Sequence, residues 1–138
     1  MNQTLRTTAL ALFVLATCVV GAQAADDPSI QGELRTGIQA SMQDFVAHQT
    51  VDGVFRHYDP VEGRLLHLEQ ANLHAGIVKK GDFYISCADF VDQDGRKLDL
   101  DFLVVDAGGD LRTVQALVHK IEGDKRPYDV ETSDLETN

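Results

Sequence analysis

The hydrophobic pattern of this chain changes period once, from a helical spacing near its beginning to a strand-like alternation over most of the remaining residues. Between residues 30 and 46, apolar side chains recur every three or four positions, as on the buried face of an amphipathic helix. This stripe consists of Ile30, Leu34, Ile38, Met42, Phe45 and Val46. With Ser29 as a candidate N-cap, the pattern predicts one long helix over Ser29–His48.

The later pattern predicts an antiparallel meander of four or five strands. Its strongest element is a hairpin, in which Phe83–Val91 and Arg96–Val105 flank the sequence Asp92-Gln93-Asp94-Gly95. This sequence favours a type I turn whose glycine adopts a positive φ. Earlier strands are predicted over Val51–Tyr58 and Arg64–Ile77. Leu111–Ile121 is compatible with a helix or a strand by spacing, and we predict a strand because it would cover the edge of the meander.

The predicted turn also determines which hairpin residues lie opposite each other. It places Asp89 opposite Asp99 and Cys87 opposite Asp101. These four residues share one face, here called the outer face, with Ile85, Val91, Leu103 and Val105. The other face, here called the inner face, holds a candidate core of Tyr84, Ala88, Phe90, Leu98, Leu100, Phe102 and Val104.

Together these elements predict an α+β domain over residues 25–128, with one long N-terminal helix packed on a curled antiparallel sheet of four to five strands. The helix Ser29–His48, the hairpin from Ala88-Asp89-Phe90 to Asp101-Phe102, and the return at Gly109–Val114 resemble the cystatin-like superfamily, which includes nuclear-transport-factor-like domains. The resemblance lies in the fold and covers most of the chain after residue 24. Enzymatic members usually add helices around a conical pocket, whereas this chain offers one clear helix.

The two ends of the chain are predicted to lie outside the domain. Arg6 is the only charged residue among the first 24, and the apolar run Ala9–Val20 is followed by Ala22-Gln23-Ala24. This is the pattern of a secretory signal peptide over residues 1–24, which predicts a periplasmic or extracellular protein. Cys18 follows a sequence that loosely resembles a lipid-attachment motif, which leaves a lipid anchor as an alternative. The acidic residues 129–138 are predicted to be disordered.

The charge of the chain disfavours two classes of function. The chain has 22 acidic and 12 basic residues, for a net charge of −10. Such a surface repels the phosphates of nucleic acids and of anionic lipids. An apolar run of about 12 residues is also shorter than the roughly 20 needed to span a bilayer. We therefore predict no nucleic-acid partner and no membrane insertion.

Candidate chemistry is concentrated in aspartates and histidines of the predicted sheet. The candidate binding residues are Tyr84, Asp89, Asp99, Asp101, His67 and His74. Directly opposed aspartates are unfavourable unless a cation or a shared proton lies between them. The alternative interpretation, which we prefer, is a solvated outer face with Lys79, Arg96 or Lys97 nearby. His67 and His74 are seven positions apart, so only a bulge would bring them to one face.

The remaining chemical candidates are weaker still. The spacing of the histidines matches no known metal motif, and we predict neither a metal site nor a cofactor. If residues 1–24 are removed, Cys87 is the sole cysteine, and we interpret it as a small residue packed in a strand.

The sequence predicts an exported, non-enzymatic binding domain that takes a small molecule or a protein partner on the sheet. Cystatin-like sheets commonly dimerise through the outer face, and the aliphatic residues Ile85, Val91, Leu103 and Val105 predict a homodimer of this kind. One alternative is a small acid–base enzyme that pairs Asp99 or Asp101 with Tyr84 or His67. Another is a metal-binding protein that uses histidines and aspartates.

Overall fold

A computed structural model describes residues 26–127 and residue 130, and it confirms the α+β class. One helix, α1 (Gly32–His48), precedes a single antiparallel sheet. The strands of the sheet are β1 (Thr50–Val51), β2 (Val54–Asp59), β3 (Arg64–Lys80), β4 (Phe83–Asp92), β5 (Lys97–Asp106), β6 (Leu111–Ile121) and β7 (Asp124–Lys125).

The sheet is an open meander in which each strand pairs with the next one along the chain. It has seven strands, so the prediction of four or five was wrong in detail. One added strand arises because Asp52 and Gly53 adopt positive φ and fold the predicted strand over Val51–Tyr58 into a short hairpin. The other is the two-residue strand β7, which pairs with the end of β6. Both are too short to leave a clear alternation in the sequence.

The helix begins three residues later than predicted and ends at the predicted residue, His48. The predicted N-cap, Ser29, instead lies in a turn where its amide and hydroxyl both donate to Asp27 Oδ1. Gln31 takes the cap position without a side-chain hydrogen bond, and Gly32 follows with a φ of +57°. The left-handed conformation of Gly32, which glycine tolerates well, redirects the chain into the helix.

The hairpin and the last long strand are as predicted. The amide of Gly95 donates to the carbonyl of Asp92 at 2.9 Å, and Gly95 has a φ of +79°. Asp89 pairs with Asp99 and Cys87 with Asp101. Leu111–Ile121 is a strand that pairs with β5, which confirms the choice of strand over helix.

The core lies between α1 and the inner face of the sheet. Met42 is fully buried, and the Phe45 ring packs edge-on against Phe102 with centroids 6.1 Å apart. Every residue predicted for the inner face is buried. A Cβ on Gly37 would lie 2.7 Å from Leu111 Cδ1, so this glycine allows the helix to approach β6 closely.

Several predictions concern residues outside the described part of the chain. These are the signal peptide over residues 1–24, the alternative lipid anchor at Cys18, and the disordered tail over residues 129–138 apart from residue 130. Within the described residues, no helix combines the length and apolar character needed to cross a membrane.

Candidate functional site

The middle of the β4–β5 hairpin brings ionisable side chains together on the outer face. Cys87 and Asp89 come from β4, and Asp99 and Asp101 come from β5. The strands on either side, β3 and β6, each contribute a histidine. We call this set the outer-face cluster, and its members are His74, Cys87, Asp89, Asp99, Asp101 and His119.

A register shift in β6 turns His119 towards the cluster. Leu100 pairs with Val118 and Asp99 pairs with Lys120, so His119 is an extra residue between them. A β-bulge of this kind redirects side chains where it occurs. As a result, His119 and the next residue, Lys120, both reach aspartates of β5.

Two register shifts in β3 bring His74 to the same face. Ala71 is one extra residue, and residues 74–76 stand together opposite Cys87. His74 Nε2 lies 3.1 Å from Asp89 Oδ2. The shift at Ala71 also puts His67 on the outer face, but seven positions along a strand separate the two histidines by roughly 20 Å.

Short contacts connect the members of the cluster. The Cys87 thiol donates to Asp101 Oδ1 at 3.0 Å, and Lys120 Nζ donates to Asp99 Oδ2 at 3.2 Å. His119 Nδ1 lies 3.4 Å from Asp101 Oδ1 and 3.7 Å from Asp99 Oδ2. Potential metal-ligand atoms lie within 4.8 Å of one another in two sets of three residues, Asp99–Asp101–His119 and His74–Cys87–Asp99.

The cluster is buried and its hydrogen bonds are incomplete. The exposed fraction is 0% for Asp101 and 4% for His119, and 13% for the Asp99 side chain. Among the described residues, seven buried side-chain polar atoms have no hydrogen-bond partner. Four of these seven belong to the cluster, namely Asp99 Oδ1, Asp101 Oδ2 and both ring nitrogens of His119. Unsatisfied polar atoms are therefore concentrated at this one place.

Asp101 controls the charge of His119. The nearby Asp101 carboxylate raises the pKa of His119 above its ordinary value, and this effect outweighs the burial of the ring, which lowers the pKa. Asp99 acts in the same direction as Asp101, while Lys120 opposes it. The contact is an ion pair without good hydrogen-bond geometry, since neither ring nitrogen makes a hydrogen bond.

Two other fully buried carboxylates are satisfied in a way that Asp101 is not. Asp92 Oδ1 accepts from the amides of Asp94 and Arg96, and Asp92 Oδ2 accepts from Arg96 Nε. Asp59 Oδ1 accepts from the amide of Val61, and its Oδ2 accepts from Arg126. This chain therefore saturates a buried carboxylate where the carboxylate holds a turn together.

A surface cleft of about 500 Å³ opens beside the cluster. Its lining includes His74, Asp89, Asp99 and Lys120, together with Lys97. The cluster is thus reachable from solvent on the side of Asp99, while Asp101 and His119 lie deeper in the sheet.

The structure places two predicted binding residues away from this site. Tyr84 lies in the inner-face core with Ile38 and Val104, and Lys79 Nζ sits 5.7 Å from its ring centroid. His67 is exposed near a separate pocket, and its amide donates to Gln93 Oε1 at 2.9 Å. The enzyme alternative paired Asp99 or Asp101 with Tyr84 or His67, and neither pairing is present among the described residues.

The prediction of a solvated outer face was also wrong at the middle of the β4–β5 hairpin. Asp101 is fully buried, and it is contacted by His119 and Cys87 rather than by the basic residues expected nearby. The aliphatic residues expected to form a dimer surface are not exposed either. Ile85 is 1% exposed, and Val91, Leu103 and Val105 are partly buried.

The sequence did not identify His119 as a candidate binding residue, and it indicated only a packing role for Cys87. One signal for the bulge was present, because the inward-facing residues Val118 and Ile121 are three positions apart, whereas strict alternation requires an even spacing. The same pattern has the spacing of a helix, so it could not be assigned to a bulge from the sequence alone. Cys87 is buried in a strand, as predicted.

Comparison with known proteins adds no assignment. No protein-family model matches the chain, and neither a curated protein nor a solved structure shows significant similarity to it. The resemblance to the cystatin-like superfamily stays a prediction.

Proposed function

We propose that this protein is an exported, non-enzymatic binding domain, and that its ligand is a divalent transition-metal ion such as Zn²⁺. The ion is held by Asp99, Asp101 and His119. The observation that carries the proposal is twofold: these three residues hold four buried side-chain polar atoms without a hydrogen-bond partner, and each residue offers one ligand atom within 4.8 Å of the other two.

The energetics of the cluster without a ligand support a bound cation. Burying a charged group costs several kcal/mol unless it is paired and hydrogen-bonded. Each polar atom left unsatisfied costs roughly 1–3 kcal/mol more. The ion pair between Asp101 and His119 offsets only part of this cost, because Asp101 Oδ2 and both ring nitrogens lack hydrogen bonds. A metal ion that accepts electron pairs from a carboxylate and from the imidazole of His119, whose ring proton is released to solvent on binding, would complete these contacts.

The ligand types favour zinc or a similar ion. Carboxylate and imidazole groups bind first-row transition metals, and two carboxylates with one histidine leave a coordination position for water or another ligand. The solvent-accessible side of the cluster is the side of Asp99, which lines the cleft of about 500 Å³. A small molecule in this cleft would lie next to the bound ion.

Other features support the non-enzymatic and exported parts of the proposal. Met42 and Phe45 of the helix fill the space above the inner face, and Tyr84 is packed within that core. Export rests on the signal-peptide pattern. Cleavage after Ala24 would leave the contacts of Asp26 and Asp27 with Ile77 intact. A homodimer stays a prediction, without an exposed aliphatic patch at the expected residues to support it.

Isothermal titration of Zn²⁺ into metal-free protein tests the proposal. The protein is expressed from the full chain, purified without a tag and treated with a chelator. We expect saturable binding, and we expect Asp101→Asn and His119→Gln each to weaken it at least ~10-fold, since even changes around a ligand cost that much.

Matched controls separate the site from general acidity. Asp110→Asn and His67→Gln make the same chemical changes at exposed positions outside the cluster, and we expect neither to change zinc affinity. Absence of binding, or equal affinity in Asp101→Asn and Asp110→Asn, would contradict the proposal. Circular dichroism of each variant shows whether the fold is retained.

A further inference from the structure

The outer-face cluster contains a second set of ligand atoms next to the first. His74, Cys87 and Asp99 offer a nitrogen, a sulfur and an oxygen within 4.8 Å of one another. Asp99 belongs to both sets, and it has one carboxylate oxygen without a hydrogen bond and one held by Lys120. A carboxylate shared in this way is a bridging ligand in sites where two metal ions lie about 3.5–4 Å apart.

We propose that the cluster binds two divalent transition-metal ions, bridged by Asp99. The first is held by Asp101 and His119, and the second by His74 and the Cys87 thiolate. This inference rests on the proposed function, because it adds a second ion to the same cluster.

The second ion requires Cys87 as a thiolate, since the thiolate and not the thiol is the metal ligand. Coordination removes the thiol proton, which now lies on the hydrogen bond to Asp101 and is released to solvent when the sulfur–metal bond forms. Asp101 then loses its thiol donor and becomes free to bind the first ion.

The surroundings of the second position resemble the support around protein metal ligands. Asp89 lies 3.1 Å from His74 Nε2, and a carboxylate on one ring nitrogen orients the ring so that the other can bind a metal. The bulge over residues 74–76 is tied to the helix, because Arg35 donates to the carbonyl of Ala75. His74 is thereby held on the outer face by contacts beyond its own strand.

The mixture of ligands distinguishes the two positions chemically. Two carboxylates and an imidazole form a hard to borderline set, whereas a thiolate shifts the second set towards softer ions. Co²⁺ separates them experimentally, since a cobalt–thiolate bond produces a charge-transfer band in the near ultraviolet and a cobalt–carboxylate bond does not.

The test is a Co²⁺ titration of reduced, metal-free protein under anaerobic conditions, followed by absorbance and by metal analysis after gel filtration. We expect two equivalents of cobalt and a thiolate band. In Cys87→Ser the band disappears and one equivalent remains. If Cys87→Ser fails to fold, His74→Gln takes its place, since His74 is partly exposed, and we expect it to lose one equivalent as well. The control His67→Gln is expected to retain two equivalents.

The possible failures are distinguishable from one another. One equivalent without a thiolate band overturns the second ion and leaves the proposed function standing. One equivalent with a thiolate band also overturns it, because a single ion would then use Cys87. No bound cobalt and no bound zinc overturns both proposals.

Discussion

Two parts of the same hairpin treat a buried carboxylate in opposite ways. At its turn, Asp92 is buried with hydrogen bonds to both oxygens, and Arg96 links it to Glu62. In the middle of the hairpin, the side chain of Asp101 is equally buried. Its Oδ2 has no hydrogen bond, and its Oδ1 accepts a hydrogen bond only from the Cys87 thiol. The strands are continuous, so the difference lies in the groups that reach each carboxylate, which at Asp92 include two backbone amides of the turn.

Asp92 contributes to the stability of the hairpin, whereas Asp101 and His119 are suited to binding a ligand. Hydrogen bonds that saturate Asp92 stabilise the turn, and the neighbouring backbone supplies two of them. Asp101 and His119 are left with capacity that the fold does not use. Buried polar groups without partners oppose folding, so a site of this kind indicates a role that outweighs its cost.

The largest expected effect comes from breaking the satisfied carboxylate. Asp92→Ala removes one of the two carboxylates bound by the Arg96 side chain, and it leaves two backbone amides of the turn without their acceptor. We expect the free energy of unfolding to fall by about 3 kcal/mol, as when one member of a buried pair is lost. Urea denaturation at pH 7 measures this. A loss below that of Asp110→Ala at the exposed Gly-rich turn would contradict the account.

The opposite sign is expected in the middle of the hairpin. Asp101→Leu/His119→Leu replaces a buried, incompletely bonded ion pair by apolar side chains of similar size. We expect the metal-free protein to gain about 1–2 kcal/mol in unfolding free energy and to lose zinc binding. Urea denaturation in a chelator, compared with wild type, gives the value. A large destabilisation would show that the pair is structural.

Acid should weaken the turn. Hydrogen bonds from Arg96 lower the pKa of Glu62. Burial raises the pKa of Asp92, but the hydrogen bonds from Arg96 and from the Asp94 amide together outweigh burial, so that this pKa is also lowered. Both carboxylates stay ionised in the folded state at pH values where the unfolded chain takes up protons. Their stabilisation is therefore complete above about pH 4.5, the ordinary pKa of Glu62, and is lost as pH falls through the folded values. Unfolding free energies between pH 6 and 2.5 should fall more steeply in wild type than in Asp92→Ala.

The smallest effect concerns the lysine beside the cluster. Lys120 donates to Asp99 at 3.2 Å and competes with any cation bound there. A partly exposed ion pair is worth about 0.2–1 kcal/mol, so Lys120→Met should increase zinc affinity by up to ~5-fold. Calorimetry with Lys97→Met as a control tests this. Weaker binding in Lys120→Met would show that the lysine supports the site instead.

The contrast between the two carboxylates also explains what the sequence could predict. Asp92 and its partners lie within five residues, so turn chemistry predicted the turn and, through it, the pairs Asp89–Asp99 and Cys87–Asp101. The two faces followed from alternation. Asp101 instead meets His119 from another strand through a bulge, and His74 joins through two further shifts.

Such shifts depend on how the four strands β3 to β6 pair with one another, and no local residue pattern determined them. This is why the sequence predicted Asp89, Asp99, Asp101 and His74 as candidates but predicted no metal site. The same limit explains the two short strands, whose positions depend on positive φ at Asp52 and on pairing at the end of β6.

In the proposed site, a metal ion binds the buried pair Asp101–His119, whose hydrogen bonds are incomplete. A crystal structure of protein from the full chain, grown with zinc and measured at the zinc absorption edge, tests it most directly. The account predicts an anomalous peak about 2.0–2.2 Å from a carboxylate oxygen of Asp101 and a ring nitrogen of His119. An ordered water bridging these groups, with no anomalous peak in the cluster, would contradict it.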